Sequence, residues 1–350
     1  MKRALVASLI LILASLACNL DFNPPPLSLT QPAAQPSSSP VVLQATPTLT
    51  IIPPTAYLPP PTETLAPPPT VPPAQPASTA TQPAGPRLSI DQIRNATLTI
   101  TGSDQNIRTI TLKDGKYEEG SDPAQPGYIL VQLGDKIAFG DLNGDGLEDA
   151  AASMIESFGG TGEYISIVAI LNQAGQPNPV ATGLIDDRPI LNELAIRSGE
   201  IFVDAVVHGP NDPMCCAALA TTRSYRLLGN QLFISRFTSK TSQGVERIIK
   251  IDSPADGTEI NGPILITGTV SVSPFENNLT YTVFPLSYPD PSAQAGFTVK
   301  GDGLGGPGSF ELPLDLTIGG YKGPLRIEIS DVSPADGSYL ALETLYLTIK

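Results

Sequence analysis

Tryptophan is absent from the 350 residues, histidine occurs once and cysteine three times. Sugar faces are usually held on large aromatics, so the missing tryptophan weakens a carbohydrate-binding reading, although ten tyrosines keep it open. Basic residues are scarce as well: 20 Lys and Arg stand against 34 Asp and Glu, a net charge of −14. Nucleic acid is therefore a poor partner, because phosphate binding needs a basic stripe and none is visible. Solubility, multivalent cations and basic partners suit the balance better. The glycine-rich stretches Gly159-Gly160-Thr161-Gly162 and Gly301-Asp302-Gly303-Leu304-Gly305-Gly306 contain no Gly-Lys-Ser/Thr and open no helix of a βαβ unit, so they read as turns and not phosphate loops.

What is present begins with an address. Lys2 and Arg3 precede an apolar run from Ala4 to Leu16, and Ala17 stands before Cys18, the pattern of a secretory signal over residues 1–17. The run falls short of the about twenty residues a membrane span needs. Ser15-Leu16-Ala17-Cys18 resembles the relaxed lipobox of bacterial lipoproteins. The resemblance implies lipidation of Cys18, an extracytoplasmic location on a membrane, and, with Asn19 in place of aspartate, no inner-membrane retention signal. Ordinary cleavage leaving a free cysteine is the other reading. Residues 18–87 then turn to Pro, Thr, Ser, Ala and Gln, and Asn19–Pro86 hold 20 of the 37 prolines with only Asp21 and Glu63 charged. Such a composition cannot bury enough apolar surface to offset its ordering entropy, so a disordered, polyproline-like tether is expected.

One stretch specifies a chemistry by residue type and spacing together. In Phe139-Gly140-Asp141-Leu142-Asn143-Gly144-Asp145-Gly146-Leu147-Glu148-Asp149, side-chain oxygens fall at positions one, three, five and nine of a loop starting at Asp141, and glycine at position six permits a sharp turn. Asp141, Asn143, Asp145 and Asp149, with the carbonyl of Leu147, are a set that suits calcium. The loop resembles the calcium loops of FG-GAP and dockerin-type families. It departs from an EF-hand, whose twelfth position is Glu where this chain has Ala152. A solvated hairpin turn rich in Asn-Gly and Asp-Gly is the alternative.

Residues 88–237 read as mostly β, an α+β unit with an antiparallel sheet. Ser89-Ile90-Asp91-Gln92 has the form of a capping box, which predicts a short helix through Asn95. Short β-branched runs separated by turn signals follow, as far as a hairpin at Gly229-Asn230. A single acidic loop argues against a propeller, whose blades must repeat to close a ring. Asp91–Ile234 resembles an uncharacterised domain of bacterial envelope lipoproteins in Asp114-Gly115-Lys116, the acidic loop, Gly159 to Gly162, Asp187-Arg188 and His208 to Cys216. That resemblance implies no reaction.

His208, Met214, Cys215 and Cys216 form a soft set suited to Cu(I). Outside the cell the two thiols are expected to oxidise together. The readings in order are a structural vicinal disulfide or buried thiol pair, an intermolecular or redox cysteine, and copper.

Thr238–Glu246 is polar and reads as a hinge. Residues 247–350 carry about seven strand patterns, the count of an immunoglobulin-like sandwich, with inward alternation at Leu325, Ile327, Ile329 and at Leu342, Leu345, Leu347. Ser253-Pro254-Ala255-Asp256-Gly257, Gly268, Phe275-Glu276, Phe310 and Ser333 to Ser338 resemble the immunoglobulin-like domain of bacterial spore-germination proteins. The resemblance implies a sandwich that makes surface contacts, not an enzyme. Phe275-Glu276 reads either as a contact point or as a buried Phe beside a turn-capping Glu.

The leading functional expectation is a non-enzymatic cell-surface lipoprotein presenting a calcium-stabilised module and an immunoglobulin-like module to a protein or cell-wall partner, with no nucleic acid involved. A wall- or polysaccharide-acting hydrolase using carboxylates from Asp141–Asp149, Glu156, Asp186 and Asp187 is one alternative. A copper or thiol-redox protein built on His208 to Cys216 is the other.

Overall fold

The computed structural model describes residues 85–101, 106–287, 290–302, 305–317 and 320–350. The expected signal, Cys18 and nearly all of the proline-rich tether lie outside the described residues. The described chain is mostly β, with antiparallel sheets and one short helix, as its composition of β-branched runs predicts. No helix among the described residues is long and apolar enough to cross a membrane.

Helix α1 (Ile90–Arg94) starts where the capping box places it. Gln92 N–H donates to Ser89 Oγ at 3.2 Å, and Ser89 N–H donates to Gln92 Oε1 at 2.9 Å, which satisfies two otherwise orphaned helix-end groups. Strands β1 (Thr97–Thr101) and β2 (Ile107–Thr111) make a separate hairpin. A five-stranded antiparallel sheet follows, in sequence order: β3 (Lys116–Glu119), β4 (Ile129–Gly140), β5 (Asp149–Ser157), β6 (Tyr164–Gln173) and β7 (Gln176–Asp187). Next come β8 (Ile190–Arg197), β9 (Glu200–Val207), β10 (Leu219–Leu228) and β11 (Gln231–Lys240) as a meander.

The five-stranded sheet is buried on both faces, which is why β5 reads Asp-Ala-Ala-Ala-Ser-Met-Ile and lacks polar alternation. Ala150, Ala152 and Met154 pack with Ile93, Leu98 and Val131 beneath the helix and hairpin. Ala151 packs on the opposite side with Ile167, Val203 and Tyr225, against the meander. Each fully buried Leu, Ile, Val or Met side chain here contributes about 1.5–3 kcal/mol.

The remaining strands are β12 (Glu246–Arg247), β13 (Ile249–Ser253), β14 (Thr258–Ile260), β15 (Ile264–Val270), β16 (Asn278–Pro285), β17 (Ala293–Thr298), β18 (Lys300–Gly301), β19 (Gly308–Leu314), β20 (Gly323–Val332) and β21 (Tyr339–Ile349). A four-stranded sheet in the order β13-β15-β19-β18 faces β16, β20 and β21 across a core of Ile266, Phe310, Ile327, Ile329 and Leu345. Gly268 is required here by space: a Cβ would lie 2.3 Å from the Phe310 ring and 2.3 Å from the Lys250 carbonyl. Leu342, expected on that core face, is instead buried outside it and stands opposite Phe237 of β11. Phe275 is 65 % exposed, and Glu276 adopts φ +53°, so the reading of a buried Phe beside a capping Glu is corrected.

The two halves share backbone. A ten-stranded sheet runs β17-β16-β20-β21-β11-β10-β9-β8, with β12 paired to β11 and β14 to β21, and the described residues from Gly85 to Lys350 fall in one compact unit. Thr238–Glu246, expected as a hinge, is a tight hairpin. Thr238, Ser239 and Lys240 belong to β11, Thr241 N–H donates to the Val245 carbonyl at 2.8 Å, and Glu246-Arg247 returns along Lys240-Ser239. Its first two hydroxyls are buried with partners, Thr238 Oγ1 donating to Glu246 and Ser239 Oγ to the Leu340 carbonyl, while Ser242 and Gln243 at the tip face solvent.

Charge fixes the seam. Arg236 makes a bidentate pair with Glu343 at 2.6 and 2.7 Å. Arg226 bridges Glu200 and Asp256 and lies over the Tyr346 ring. Arg326 of β20, almost wholly buried, sits between Phe233 of β11 and Phe284 of β16, with ring centroids at 4.2 and 4.3 Å, and pairs with Glu328 at 3.0 Å. Burial pushes the Glu328 carboxyl upward and Arg326 opposes that shift.

Truncating Arg326 to Ala leaves the Glu328 charge buried and removes the filling between two rings. We expect a loss of about 3–5 kcal/mol for Arg326→Ala in urea denaturation, mostly recovered in Arg326→Met with Glu328→Gln. Both halves should report one unfolding transition; two resolved transitions in the native protein would contradict the shared-sheet account.

Candidate functional site

The acidic loop joins β4 to β5, whose ends Gly140 and Asp149 pair directly. Its oxygens are largely engaged by its own amides. Asp141 accepts from Gly144 N–H at 2.7 Å and Gly146 N–H at 2.9 Å. Asn143 Oδ1 accepts from Asp145 N–H at 2.9 Å, and Asp145 Oδ1 accepts from Leu147 N–H at 2.7 Å. These successive Asx turns need left-handed backbone at Gly144 (φ +79°) and Gly146 (φ +82°), where any side chain would be strained.

Asp149 differs from the other three. It is fully buried, and its two oxygens accept Leu142 N–H at 2.9 Å and Asn172 N–H at 2.8 Å. Burial raises its pKa, the two amides oppose the rise, and the neighbouring Asp145 and Asp141 charges add to it. Asn172 of β6 completes the brace by donating to the Glu148 carbonyl at 3.1 Å and accepting from Gly175 N–H at 2.7 Å. No spacing signal marks Asn172 in the sequence, because its role comes from register between strands.

Among the described residues no group of three or more His, Cys, Asp or Glu side chains is placed to hold a metal ion. Asp141, Asn143 and Asp145 lie at the exposed or half-exposed loop tip, while Asp149 points its oxygens into the fold. The donors left to a cation are therefore Asp141, Asn143, Asp145 and the Leu147 carbonyl, and Asp149 is the support beneath them.

The other named carboxylates stand elsewhere. Asp149 opens β5 and Glu156 lies near its far end, about 23 Å away at 3.3 Å per residue. Glu156 is buried, hydrogen-bonded to Ser166, and its pKa is raised to about 7, chiefly by burial. Asp187 pairs with Arg188, whose guanidinium holds its carboxyl low, and accepts Glu163 N–H at 2.9 Å. Asp186 accepts both the backbone N–H of His208 at 2.6 Å and a contact from its ring Nδ1 at 3.0 Å. The loop carboxylates and this second group occupy opposite ends of the sheet.

Around His208 the soft ligand set is dispersed. The ring faces Asp186, and its Nε2 is buried without a partner. Met214 is 67 % exposed. Cys215 and Cys216 are joined as a vicinal disulfide, and Asp212 shapes the loop by accepting Gly209 N–H and Ala218 N–H, each at 2.8 Å.

No protein-family model, curated protein or solved structure matches the chain.

If Asp149 is a brace and not a ligand, its removal harms the fold without any added cation. Asp149→Ala strands two buried amides and is expected to cost on the order of 2–4 kcal/mol in metal-free denaturation, against less than about 1 kcal/mol for exposed Asp145→Ala. Equal losses would refute the distinction. Glu156 supplies a pH test. Its folded pKa of about 7 lies above the ordinary 4.5, so between these values the unfolded chain ionises first and stability falls as pH rises, levelling above 7. Glu156→Gln should flatten that slope and gain up to about 3 kcal/mol relative to the native chain at pH 8, measured by denaturation across pH.

Proposed function

We propose that this chain is a non-enzymatic surface protein, held outside the cytoplasm by a lipid on Cys18 and a long proline-rich tether, whose folded unit presents loops and sheet edges to a protein or cell-wall partner. The observation that carries the reading is the ten-stranded sheet through which the acidic β-unit and the immunoglobulin-like sandwich form one body. A folded unit on a long proline-rich tether suits presentation: the tether supplies reach, and the shared sheet keeps the distance between contact surfaces fixed. The strong acidity favours a basic partner or a cation-bridged one.

Calcium belongs to this proposal at the loop tip. Asp141, Asn143, Asp145 and the Leu147 carbonyl would hold the ion, with Asp149 and Asn172 anchoring the loop below. When bound, it would neutralise two of the loop's charges and stiffen a tip held by hydrogen bonds from its own backbone N–H groups and from the Asn143 side chain.

Two measurements test the proposal separately. Radiolabelled fatty acid should enter the native chain and not Cys18→Ser, and isolated cell-wall sacculi or envelope protein should retain the purified protein. Release of soluble wall fragments during that incubation would replace the binding reading with a hydrolase. Calcium should raise the melting temperature of the native protein by several degrees and leave Asp145→Ala unmoved; no rise in the native protein would remove calcium while leaving the binding reading intact.

A further inference from the structure

The connection from β9 to β10 carries the one disulfide among the described residues, and the fold gives that bond no structural work. A cross-link stabilises mainly by closing a length of chain in the unfolded state, and the gain grows with that length. Cys215 and Cys216 are neighbours in sequence, so their bond closes almost none. The loop holds its shape by other means. Asp212 accepts Gly209 N–H and Ala218 N–H, each at 2.8 Å, which draws the two ends together. Cys216 N–H donates to the Pro213 carbonyl at 2.9 Å, and Leu219 pairs with Val207 where the strands resume. Asp186 fastens the base by accepting His208 N–H at 2.6 Å.

The bond is also open to attack. Both cysteines are exposed, and exposed disulfides are the labile, regulatory or catalytic ones. From Pro213 to Thr222 no charged side chain occurs, so the tip that carries the bond is neutral in a strongly acidic chain. Met214 beside the pair is exposed. Two more exposed apolar side chains come from the β7–β8 side of the same end: Ile190 pairs with Val206, just before β9 stops, and Leu184 lies two residues before Asp186, which touches His208.

We propose that Cys215–Cys216 is a redox site whose substrate is the paired thiols of a partner protein. One partner thiolate attacks a sulfur of the pair; a mixed disulfide forms as the Cys215–Cys216 bond breaks, and the released thiolate takes a proton. The partner's second thiolate then attacks the partner's own sulfur in that mixed disulfide, freeing the other cysteine as a second thiol. Two electrons and two protons have passed from the partner dithiol to the pair, and the partner leaves with a disulfide. The substrate class follows from charge and surface. A net charge of −14 opposes small anionic thiols, whereas the neutral tip with Met214 and Ile190 suits a protein whose thiols sit beside an apolar surface. The inference goes beyond the surface-presentation reading and does not rest on it.

Thiol trapping on the full chain in mild detergent tests it. Purified without reductant, the protein should yield the tryptic peptide 198–223 with its two cysteines joined. Dithiothreitol, and separately a reduced Cys-x-x-Cys oxidoreductase, should open the bond without denaturant, so that both cysteines take up iodoacetamide. The reduced protein should melt within about 2 °C of the oxidised one. An oxidoreductase whose second cysteine is replaced by serine should stay covalently linked to the native chain, and not to the chain carrying Cys215→Ser and Cys216→Ser. Met214→Asp with Ile190→Asp should slow the protein dithiol several-fold and leave the dithiothreitol rate unchanged. Free thiols in the purified protein, a bond that opens only in denaturant, or a larger fall in melting temperature overturns the inference. So does a bond that dithiothreitol opens and the protein dithiol does not, or a Met214 and Ile190 variant that slows neither reductant or both alike.

Discussion

Strand β11 has two edges to satisfy, and the second is met by a strand more than a hundred residues further along the chain. That demand organises the molecule. β10 covers one side of β11, and β21 covers the other over a short stretch at Arg236 and Phe237. Only two residue pairs carry this ladder contact, so side chains do much of the holding: the Arg236–Glu343 fork, Thr344 Oγ1 on the Ser235 carbonyl, and the Arg326 guanidinium between two phenyl rings. Buried arginine suits this place because its flat, weakly hydrated group stacks on aromatics while keeping its charge. The meander's core and the sandwich's core are then two faces of one sheet system.

Acidity is distributed by depth. At the acidic loop tip and over the surface, Asp and Glu face water and their charges add to solubility. Inside, buried carboxyls are answered in different ways: Asp149 by amides, Glu328 and Asp187 by the arginines Arg326 and Arg188, while Asp331 and Glu156 are raised by burial, with only Arg247 and Ser166 respectively to oppose the shift. The same residue type is thus a brace, a clamp or a latent titrating group according to what the register sets beside it.

Much of this was legible in the sequence. The capping box at Ser89-Gln92, the hairpins at Asp114-Gly115 and Gly229-Asn230, and most strands of both halves follow from local pattern, since turn chemistry and period-two alternation are short-range signals. β7 was hidden by Pro177 and Pro179, which suit an edge strand with register shifts. Thr238–Glu246 looked like a hinge because polarity alone cannot tell a solvated linker from a hairpin whose hydroxyls have buried partners. The loop's residue types were evident, but that Asp149 turns inward to Asn172 depends on β5–β6 pairing. Asp256 of the Ser-Pro-Ala-Asp-Gly turn likewise accepts Tyr346 N–H at 2.8 Å and an Arg226 contact, a seam role that only tertiary register discloses.

The seam also has a temporal side. Arg236 and Glu343 are separated by 107 positions, and a ribosome adds on the order of 5–20 residues per second. For several seconds of every synthesis, then, Glu246-Arg247 can already pair with Lys240-Ser239 while the Arg236-Phe237 stretch of the same edge still awaits β21.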